Sequence, residues 1–251
     1  MGSVTQLFRI CRIISYTLLG LLIAALVFPL AAKPLRLRLI QWWSGRLLAA
    51  FNLHIVQLGT PPDRTISNTM FVANHISWAD IHALNSLMPL RFIAKSEIRS
   101  WPVLGYLASK ANVFFIDREK RQHAARTVKM AATSLLNGDN LCLFPEGTTT
   151  DGSELRPFKS SLIEAAIAAK AILWPVAIRY PNDNGGINTD VAYAGETTLI
   201  ESIQQVLKLK SSVIELHFLA PIDISTLDVK SLDRRHLTLH VQTLIQQQLG
   251  L

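Results

Sequence analysis

Ile13 to Ala32 form a run of twenty residues without a single charged side chain. A helix of about 20 apolar residues matches the ~30 Å hydrocarbon core of a bilayer, so the run predicts a helix that enters a membrane. A secretory signal peptide is the alternative, because Arg9 and Arg12 precede the run and small alanines end it. The length of the run favours a retained anchor. Two cysteines among 251 residues form no disulfide framework and indicate a reducing compartment.

Positive charge is concentrated at the start of the chain. The sequence has 25 Lys and Arg against 18 Asp and Glu, a formal net charge of +7. Six of these bases and no acid lie in residues 1–51: Arg9, Arg12, Lys33, Arg36, Arg38 and Arg46. The other 200 residues are therefore nearly neutral, which argues against a nucleic-acid partner and for an anionic membrane surface.

A second helix is predicted from Leu35 to Phe51, where arginines stand beside apolar residues and beside Trp42 and Trp43. This composition is typical of a helix in the headgroup region of a bilayer. Both flanks of the apolar run are basic, so the positive-inside rule does not orient it. We expect residues 1–51 to form a membrane anchor. In this hypothesis the first helix dips into one leaflet and the second returns along the cytoplasmic surface of the inner membrane.

From Asn52 onward, short apolar runs alternate with helical stretches. The apolar runs predict seven strands: Leu53–Leu58, Met70–Ala73, Arg91–Ala94, Asn112–Ile116, Leu141–Phe144, Ile172–Ile178 and Val213–Leu219. The stretches between and after them predict helices at Ala79–Leu87, Val103–Ser109, Lys120–Leu136, Leu162–Lys170, Thr198–Leu207 and Leu232–Leu249. This alternation predicts an α/β fold over residues 52–251, with a central, mostly parallel sheet flanked by helices.

The string Asn74-His75-Ile76-Ser77-Trp78-Ala79-Asp80 directly follows a predicted strand. A histidine in this position lies at the carboxyl edge of the sheet, where ligands of open α/β sheets tend to bind. His75 and Asp80 can meet if His75 lies in the turn and Asp80 in the first helical turn. An aspartate bonded to one ring nitrogen would make the other nitrogen a general base. The alternative is a capped helix with an incidental histidine.

A metal site is another interpretation of this string, because His82 follows Asp80 by two residues. The spacing of His75, Asp80 and His82 matches none of the usual zinc patterns, and no cysteine cluster or HExxH sequence accompanies it. We therefore expect no metal site, and we expect His82 to be packed or at the surface.

Two further strings place polar groups after buried strands. The first, Phe144-Pro145-Glu146-Gly147-Thr148-Thr149, supplies a Pro/Gly turn, hydroxyl groups and backbone amides that suit an anion. An ordinary exit from a strand is its alternative. The second, Phe114-Phe115-Ile116-Asp117-Arg118, ends in a charged pair. Arg118 could clamp a phosphate or form a surface salt bridge.

Together and in this order, the strings resemble the glycerophospholipid acyltransferase family, which includes the lysophosphatidic acid acyltransferases. Its NHxxxxD motif matches Asn74, His75 and Asp80, and its F-[IV]-D-R block matches Phe115–Arg118. Its FPEGT block matches Phe144–Thr148, and a late apolar-Pro block matches Leu173–Val176. The resemblance spans roughly residues 52–220 and implies an acyltransferase domain over 52–251, after an N-terminal anchor of the kind that the family often has.

The resemblance implies roles for these residues. His75 would deprotonate the hydroxyl of the acceptor, and Asp80 would orient His75. Asn74, Arg118 and the loop of Glu146, Gly147, Thr148 and Thr149 would bind substrate. The acyl donor would be acyl-CoA or an acyl-carrier protein, the acceptor a lysophospholipid, and no bound metal or other cofactor would take part.

The resemblance makes a 1-acyl-sn-glycerol-3-phosphate O-acyltransferase of phospholipid biosynthesis the first expectation. Many enzymes that act on lysophosphatidate have an arginine where this chain has Thr149, and Asn112 replaces a usual glycine. Residues 94–105 and 144–152 resemble family members that act on other lysolipids, including lyso-ornithine lipid. The alternatives are therefore an acyltransferase for such a lysolipid and a membrane-anchored esterase or thioesterase that uses the same His75 and Asp80.

Overall fold

The computed structural model describes residues 3–63, 65–116, 121–228 and 233–251. Its first two helices form an antiparallel hairpin. Helix α1 spans Ser3–Leu22 and continues as a π-helical stretch over Ile23–Val27, and α2 spans Lys33–Phe51. The indole N–H of Trp43 donates to the carbonyl of Tyr16 at 2.7 Å. A Cβ at Gly20 would lie 2.6 Å from this indole nitrogen, so the close approach of the two helices requires glycine there.

The body alternates strands and helices, as the sequence predicts. Its strands are β1 Leu53–Gly59, β2 Thr69–Ala73, β3 Arg91–Lys95, β4 Phe114–Ile116, β5 Asn140–Leu143, β6 Ile172–Arg179, β7 Ser212–Phe218 and β8 Ile222–Asp223. Its helices are α3 Ala79–Leu87, α4 Leu104–Lys110, α5 Arg121–Leu136, α6 Ile163–Ala168, α7 Leu199–Lys208 and α8 Arg234–Leu249.

Most predicted boundaries agree with these elements to within two residues. Strand β4 starts two residues later than predicted, because Asn112 has a left-handed φ of 57° at the end of α4. Strand β8 was not predicted. It has two residues and pairs with β6, so its apolar content is too small to form a pattern.

The strands form one sheet in the order β1-β7-β6-β2-β5-β3-β4, with β8 beside β6. Five pairs of strands are parallel: β1/β7, β2/β5, β2/β6, β3/β5 and β3/β4. Two pairs are antiparallel: β6/β7 and β6/β8. The predicted α/β class and mostly parallel sheet are confirmed. Because β2 to β6 are parallel neighbours, their carboxyl ends lie at one edge of the sheet, which we call the active edge.

Two apolar cores cover the two faces of the sheet. On one face, α2, α3 and α7 contribute Phe51, Leu84 and Val206 to a cluster around Phe71. On the other face, α5, α6 and α8 pack around buried residues of β2, β5 and β6. The sheet is therefore the middle layer of a three-layer arrangement, and the hairpin lies on the α2/α3/α7 face.

The hairpin is bonded to the body at both ends. Near the active edge, Arg9 of α1 donates to the carbonyls of Phe51 and Leu209, at 2.7 Å for Leu209. At the opposite edge, Lys33 forms an ion pair of 2.6 Å with Asp139, which precedes β5. The anchor therefore lies along the body rather than extending from it as a tether.

Candidate active site

His75 and Asp80 meet at the active edge, beyond the end of β2. His75 lies in the turn after β2, and Asp80 lies in the first turn of α3. His75 Nδ1 and Asp80 Oδ2 are 2.8 Å apart. The same carboxylate oxygen accepts the backbone N–H groups of Ile76 and Ser77 at 2.8 and 2.9 Å. The turn thus wraps around one buried carboxylate, which gives the five-residue spacing the geometry that the sequence predicts.

A stacking contact fixes the orientation of the His75 ring. It stacks on Phe144, with ring centroids 3.9 Å apart and an interplanar angle of 8°. Since Nδ1 faces the Asp80 carboxylate, we assign the proton to Nδ1 and the lone pair to Nε2. The side chain is 16% exposed, and no described residue forms a hydrogen bond to Nε2. This nitrogen is available to accept a proton from a ligand.

Tyr180 is a part of the site that the sequence did not predict. Its hydroxyl donates to Asp80 Oδ1 at 2.6 Å, and its side chain is buried. Burial, and then the Asp80 carboxylate, raise the pKa of Tyr180 well above its ordinary value, so the phenol remains a donor. Tyr180 directly follows β6, the parallel neighbour of β2, and this position at the active edge is the signal that could have identified it.

Asn74 connects the end of β2 to β6. Its amide N–H donates to the carbonyl of Ile178 at 2.9 Å, and its amide oxygen accepts the Ile178 N–H at 2.7 Å. Both polar atoms of the side chain therefore extend the pairing of two neighbouring strands. In this structure Asn74 positions the His75 turn, and its predicted role in binding substrate stays a prediction.

The buried carboxylate of Glu146 also holds the His75 turn through hydrogen bonds. One carboxylate oxygen accepts the backbone N–H of His75 at 2.8 Å, and the other accepts the N–H of Arg156 at 3.0 Å. Burial raises the pKa of Glu146, although both backbone N–H groups oppose that shift by stabilising the carboxylate. The structure thus directs the Glu146 side chain at the protein backbone, and its predicted contact with substrate stays a prediction.

The rest of the Phe144–Thr149 loop lies next to His75. Gly147 has a φ of 77°, which suits glycine, and Thr148 is half-buried. The hydroxyl of Thr149 donates to the carbonyl of Tyr193, and the next residue's N–H donates to the carbonyl of His75 at 2.9 Å. The loop is thus bonded to the His75 turn. The predicted Arg118 and its neighbour Asp117 lie outside the described residues.

His82 is buried in an aromatic contact. Its ring centroid lies 5.4 Å from that of Trp43 and 6.2 Å from that of Trp78. Burial lowers the pKa of His82 to about 4, so the ring is neutral at physiological pH. His82 is packed, which is one of the two positions expected for it. The described residues contain no group of three His, Cys, Asp or Glu side chains that could hold a metal ion.

Comparison with known proteins identifies the family of this chain. The family model described as Acyltransferase matches residues 61–179. The lyso-ornithine lipid O-acyltransferase of Pseudomonas aeruginosa is 36% identical over 241 residues, which cover 94% of this chain and 92% of that protein. This chain belongs to the acyltransferase family.

Other members of the acyltransferase family are similar over shorter spans or in fold alone. The 1-acyl-sn-glycerol-3-phosphate acyltransferase of Neisseria gonorrhoeae is 34% identical over 176 residues, 70% of this chain and 68% of that protein. The crystal structure of the 1-acyl-sn-glycerophosphate acyltransferase PlsC from Thermotoga maritima is 21% identical. It superposes with a TM-score of 0.62 over 96% of both chains and therefore shows a shared fold.

The matches confirm that the chain is an acyltransferase of the family that its sequence motifs predict. The segment that matches the family model contains both the His75 turn and the Glu146 loop.

Proposed function

We propose that this acyltransferase moves an acyl chain from the thioester of acyl-CoA or of an acyl-carrier protein to the free hydroxyl of a lysolipid. The observation that carries the proposal is the 2.8 Å contact between His75 Nδ1 and Asp80 Oδ2. It leaves Nε2 free of protein partners among the described residues and makes it the nitrogen that can accept a proton. A general base of this kind suits an acceptor hydroxyl, which is a weak nucleophile until it loses its proton.

The proposed reaction needs one base and no covalent enzyme intermediate. His75 Nε2 removes the proton of the acceptor hydroxyl, and the oxygen attacks the carbonyl carbon of the thioester. The C–S bond then breaks, and the thiolate takes the proton from the His75 imidazolium. Asp80 stabilises the transient imidazolium, since its carboxylate already faces Nδ1. No metal or other cofactor takes part in these steps.

We assign the oxyanion of the tetrahedral intermediate to the loop after Pro145. Backbone N–H groups directed at a developing oxyanion commonly lower such barriers. In the described part of the chain, the backbone N–H groups of Thr148 and Thr149 have no acceptor, and this loop is bonded to the His75 turn. Both amides are thus held at the active edge and are available to a ligand.

For the acceptor, we propose lyso-ornithine lipid first and lysophosphatidate second, the reverse of the order expected from the motifs. The Pseudomonas aeruginosa relative that is named for lyso-ornithine lipid covers 94% of this chain and therefore most of the anchor. The Neisseria gonorrhoeae relative that is named for 1-acyl-sn-glycerol-3-phosphate covers 70%. Thr149, where many lysophosphatidate enzymes have an arginine, bonds its hydroxyl to the carbonyl of Tyr193. An uncharged group there suits an acceptor without a phosphomonoester.

An acceptor panel tests this order. Purified protein is given one acyl-CoA and, separately, lyso-ornithine lipid, lysophosphatidate and lysophosphatidylcholine, and the diacyl product is measured. We expect kcat/KM for lyso-ornithine lipid to exceed that for lysophosphatidate by about tenfold, because one charged hydrogen bond to phosphate is worth roughly 1.5–3 kcal/mol. Thr149→Arg should reduce or reverse the ratio, and Thr197→Arg on an adjacent loop serves as the control for added charge. A higher kcat/KM for lysophosphatidate in the wild-type protein would refute the order.

We propose that the anchor lies in one leaflet of the inner membrane, with the body on the cytoplasmic side. One helical segment among the described residues, Thr5–Val27, is long and apolar enough to cross a membrane. Its most exposed large side chains are all apolar: Leu7, Phe8, Ile14, Leu18, Leu22 and Leu26. The contacts of Arg9 and Lys33 keep both ends of the hairpin against the body. This geometry supports a helix that lies along the membrane surface more than one that extends across it.

Protease protection tests the anchor. In sealed inner-membrane vesicles of known orientation, a tag before Ser3 and a tag after Leu251 are exposed to protease on each side in turn. We expect both tags to be cleaved from the cytoplasmic side and neither from the other side, because both helices return to the body. An N-terminal tag that is cleaved only from the opposite side would show that α1 spans the bilayer.

A further inference from the structure

Val103 has an unfavourable backbone conformation in an exposed loop. Its φ is 63° and its ψ is −62°, and the N–H of Leu104 donates to the carbonyl of Pro102 at 2.6 Å. These values define a γ-turn centred on a β-branched residue, a rare and strained geometry. The loop is held closely: a Cβ at Gly105 would lie 2.3 Å from the carbonyl oxygen of Arg99. Strain of this kind persists where the surrounding structure fixes it, and it is frequent in functional segments.

The strained turn presents apolar side chains to the outside. Val103, Leu104 and Tyr106 are 40%, 37% and 39% exposed, and Pro102 is exposed beside them. With the half-buried Trp101, they form the apolar surface that we call the 101–106 segment. Adjacent exposed apolar residues in a strained, well-packed turn differ from single apolar residues scattered over a surface, which are normal.

Positive charges border the 101–106 segment. Lys95 and Arg99 are exposed before it. The Lys110 ammonium lies 5.4 Å from the ring centroid of Tyr106. From residue 95 to 110 the sequence contains these three bases and one acid, Glu97. An apolar surface with aromatic residues and a positive border complements an anionic lipid leaflet.

The topology places the 101–106 segment on the side of the protein that carries the hairpin. The connections β2-α3-β3 and β3-α4-β4 run in the same direction across the sheet. Right-handed connections in the same direction lie on the same face, so α4 lies on the face of α3 and the hairpin. The segment also follows the carboxyl end of β3, which is at the active edge with His75.

We propose that the 101–106 segment is a second membrane contact, which inserts into an anionic leaflet at the active edge while the hairpin holds the body on the membrane. The proposal rests on the proposed lysolipid function, because a membrane-borne acceptor has to reach His75. Two contacts, one on the hairpin and one at the start of α4, fix the tilt of the body and keep the active edge against the bilayer.

A depth measurement tests the contact without using activity. In a Cys11→Ser background, Val103→Cys and Leu136→Cys each receive an environment-sensitive fluorophore; the other cysteine, Cys142, is buried. Leu136 is the control, because it is 66% exposed at the end of α5 on the opposite face. On vesicles of phosphatidylethanolamine and phosphatidylglycerol, lipids with brominated acyl chains should quench the probe at 103 and not the probe at 136. Equal quenching at both positions, or none at 103, would overturn the proposal.

A second measurement connects the contact with turnover. The variant Val103→Asp/Leu104→Asp is compared with Leu136→Asp as the ratio of acyl transfer on vesicles to acyl transfer in detergent micelles. We expect the ratio of the double variant to fall about tenfold, because the variant loses the favourable transfer of two apolar side chains from water into the membrane. A ratio equal to that of Leu136→Asp would contradict the proposal. If the wild-type protein acylates no lysolipid in either setting, the proposed function fails, while the quenching experiment still decides the membrane contact.

Discussion

His75→Ala should reduce acyl transfer by about 10³-fold, while the KM for the acyl donor changes little. The variant removes the only group that the proposal gives for deprotonating the acceptor, and a positioned general base contributes roughly 10²–10⁴-fold. The stacking contact with Phe144 is lost as well, but Asp80 keeps its bonds to the backbone N–H groups of Ile76 and Ser77. The turn should therefore remain folded, so that the loss reports on chemistry.

The measurement is the release of free thiol from acyl-CoA, followed with and without a lysolipid. His54→Ala is the matched control, because His54 is an exposed histidine of β1. Wild-type thiol release should require the acceptor, and His75→Ala should lose that release. A loss below about tenfold would exclude His75 as the base. Equal wild-type thiol release without any acceptor would instead favour the esterase or thioesterase interpretation.

The sequence was most informative about the layers of the fold. Parallel strands buried on both faces appear as continuous apolar runs, and the helices between them have a different period. For this reason the predicted β6 and α3 differ by at most one residue from the observed Ile172–Arg179 and Ala79–Leu87. The contact between His75 and Asp80 could also be predicted from the sequence, because the two residues are five positions apart and meet within one turn.

Contacts between distant parts of the chain could not be predicted in this way. Tyr180 meets Asp80 across 100 residues, and Asn74 meets Ile178 across 104. Both contacts depend on the pairing of β6 with β2, and one sequence does not state which strands are neighbours. Similarly, Glu146 accepts the backbone N–H groups of His75 and Arg156, whose positions relative to the carboxylate only the fold determines.

The start of the first helix also depends on contacts between distant parts of the chain. A charge normally ends an apolar membrane segment, so the sequence predicts that Arg9 precedes the helix. In the structure α1 begins at Ser3 and includes Arg9, because the guanidinium bonds to carbonyl groups at the ends of α2 and α7. Unpaired carbonyls at a helix end favour a cation, and this compensation is a tertiary effect.

Asp80→Asn should lower kcat by about 10²–10³-fold with a small effect on stability. Asp80 Oδ2 accepts three donors, from His75, Ile76 and Ser77, and Oδ1 accepts the Tyr180 hydroxyl. An asparagine can keep its oxygen toward the three donors and turn its N–H₂ group toward Tyr180, whose oxygen can accept a hydrogen bond. The geometry is then retained, and the change removes the negative charge that stabilises the His75 imidazolium.

Tyr180→Phe separates the charge of Asp80 from its hydrogen bonds. It removes one bond to the carboxylate and leaves the charge, so kcat should fall about tenfold, in keeping with roughly 1.5 kcal/mol for a bond to an ionised group. Tyr16→Phe removes a hydroxyl from α1 and should leave kcat unchanged. The three variants are compared by kcat and by thermal unfolding. A large loss of stability in Asp80→Asn would show that Asp80 acts by holding the turn and not by charge.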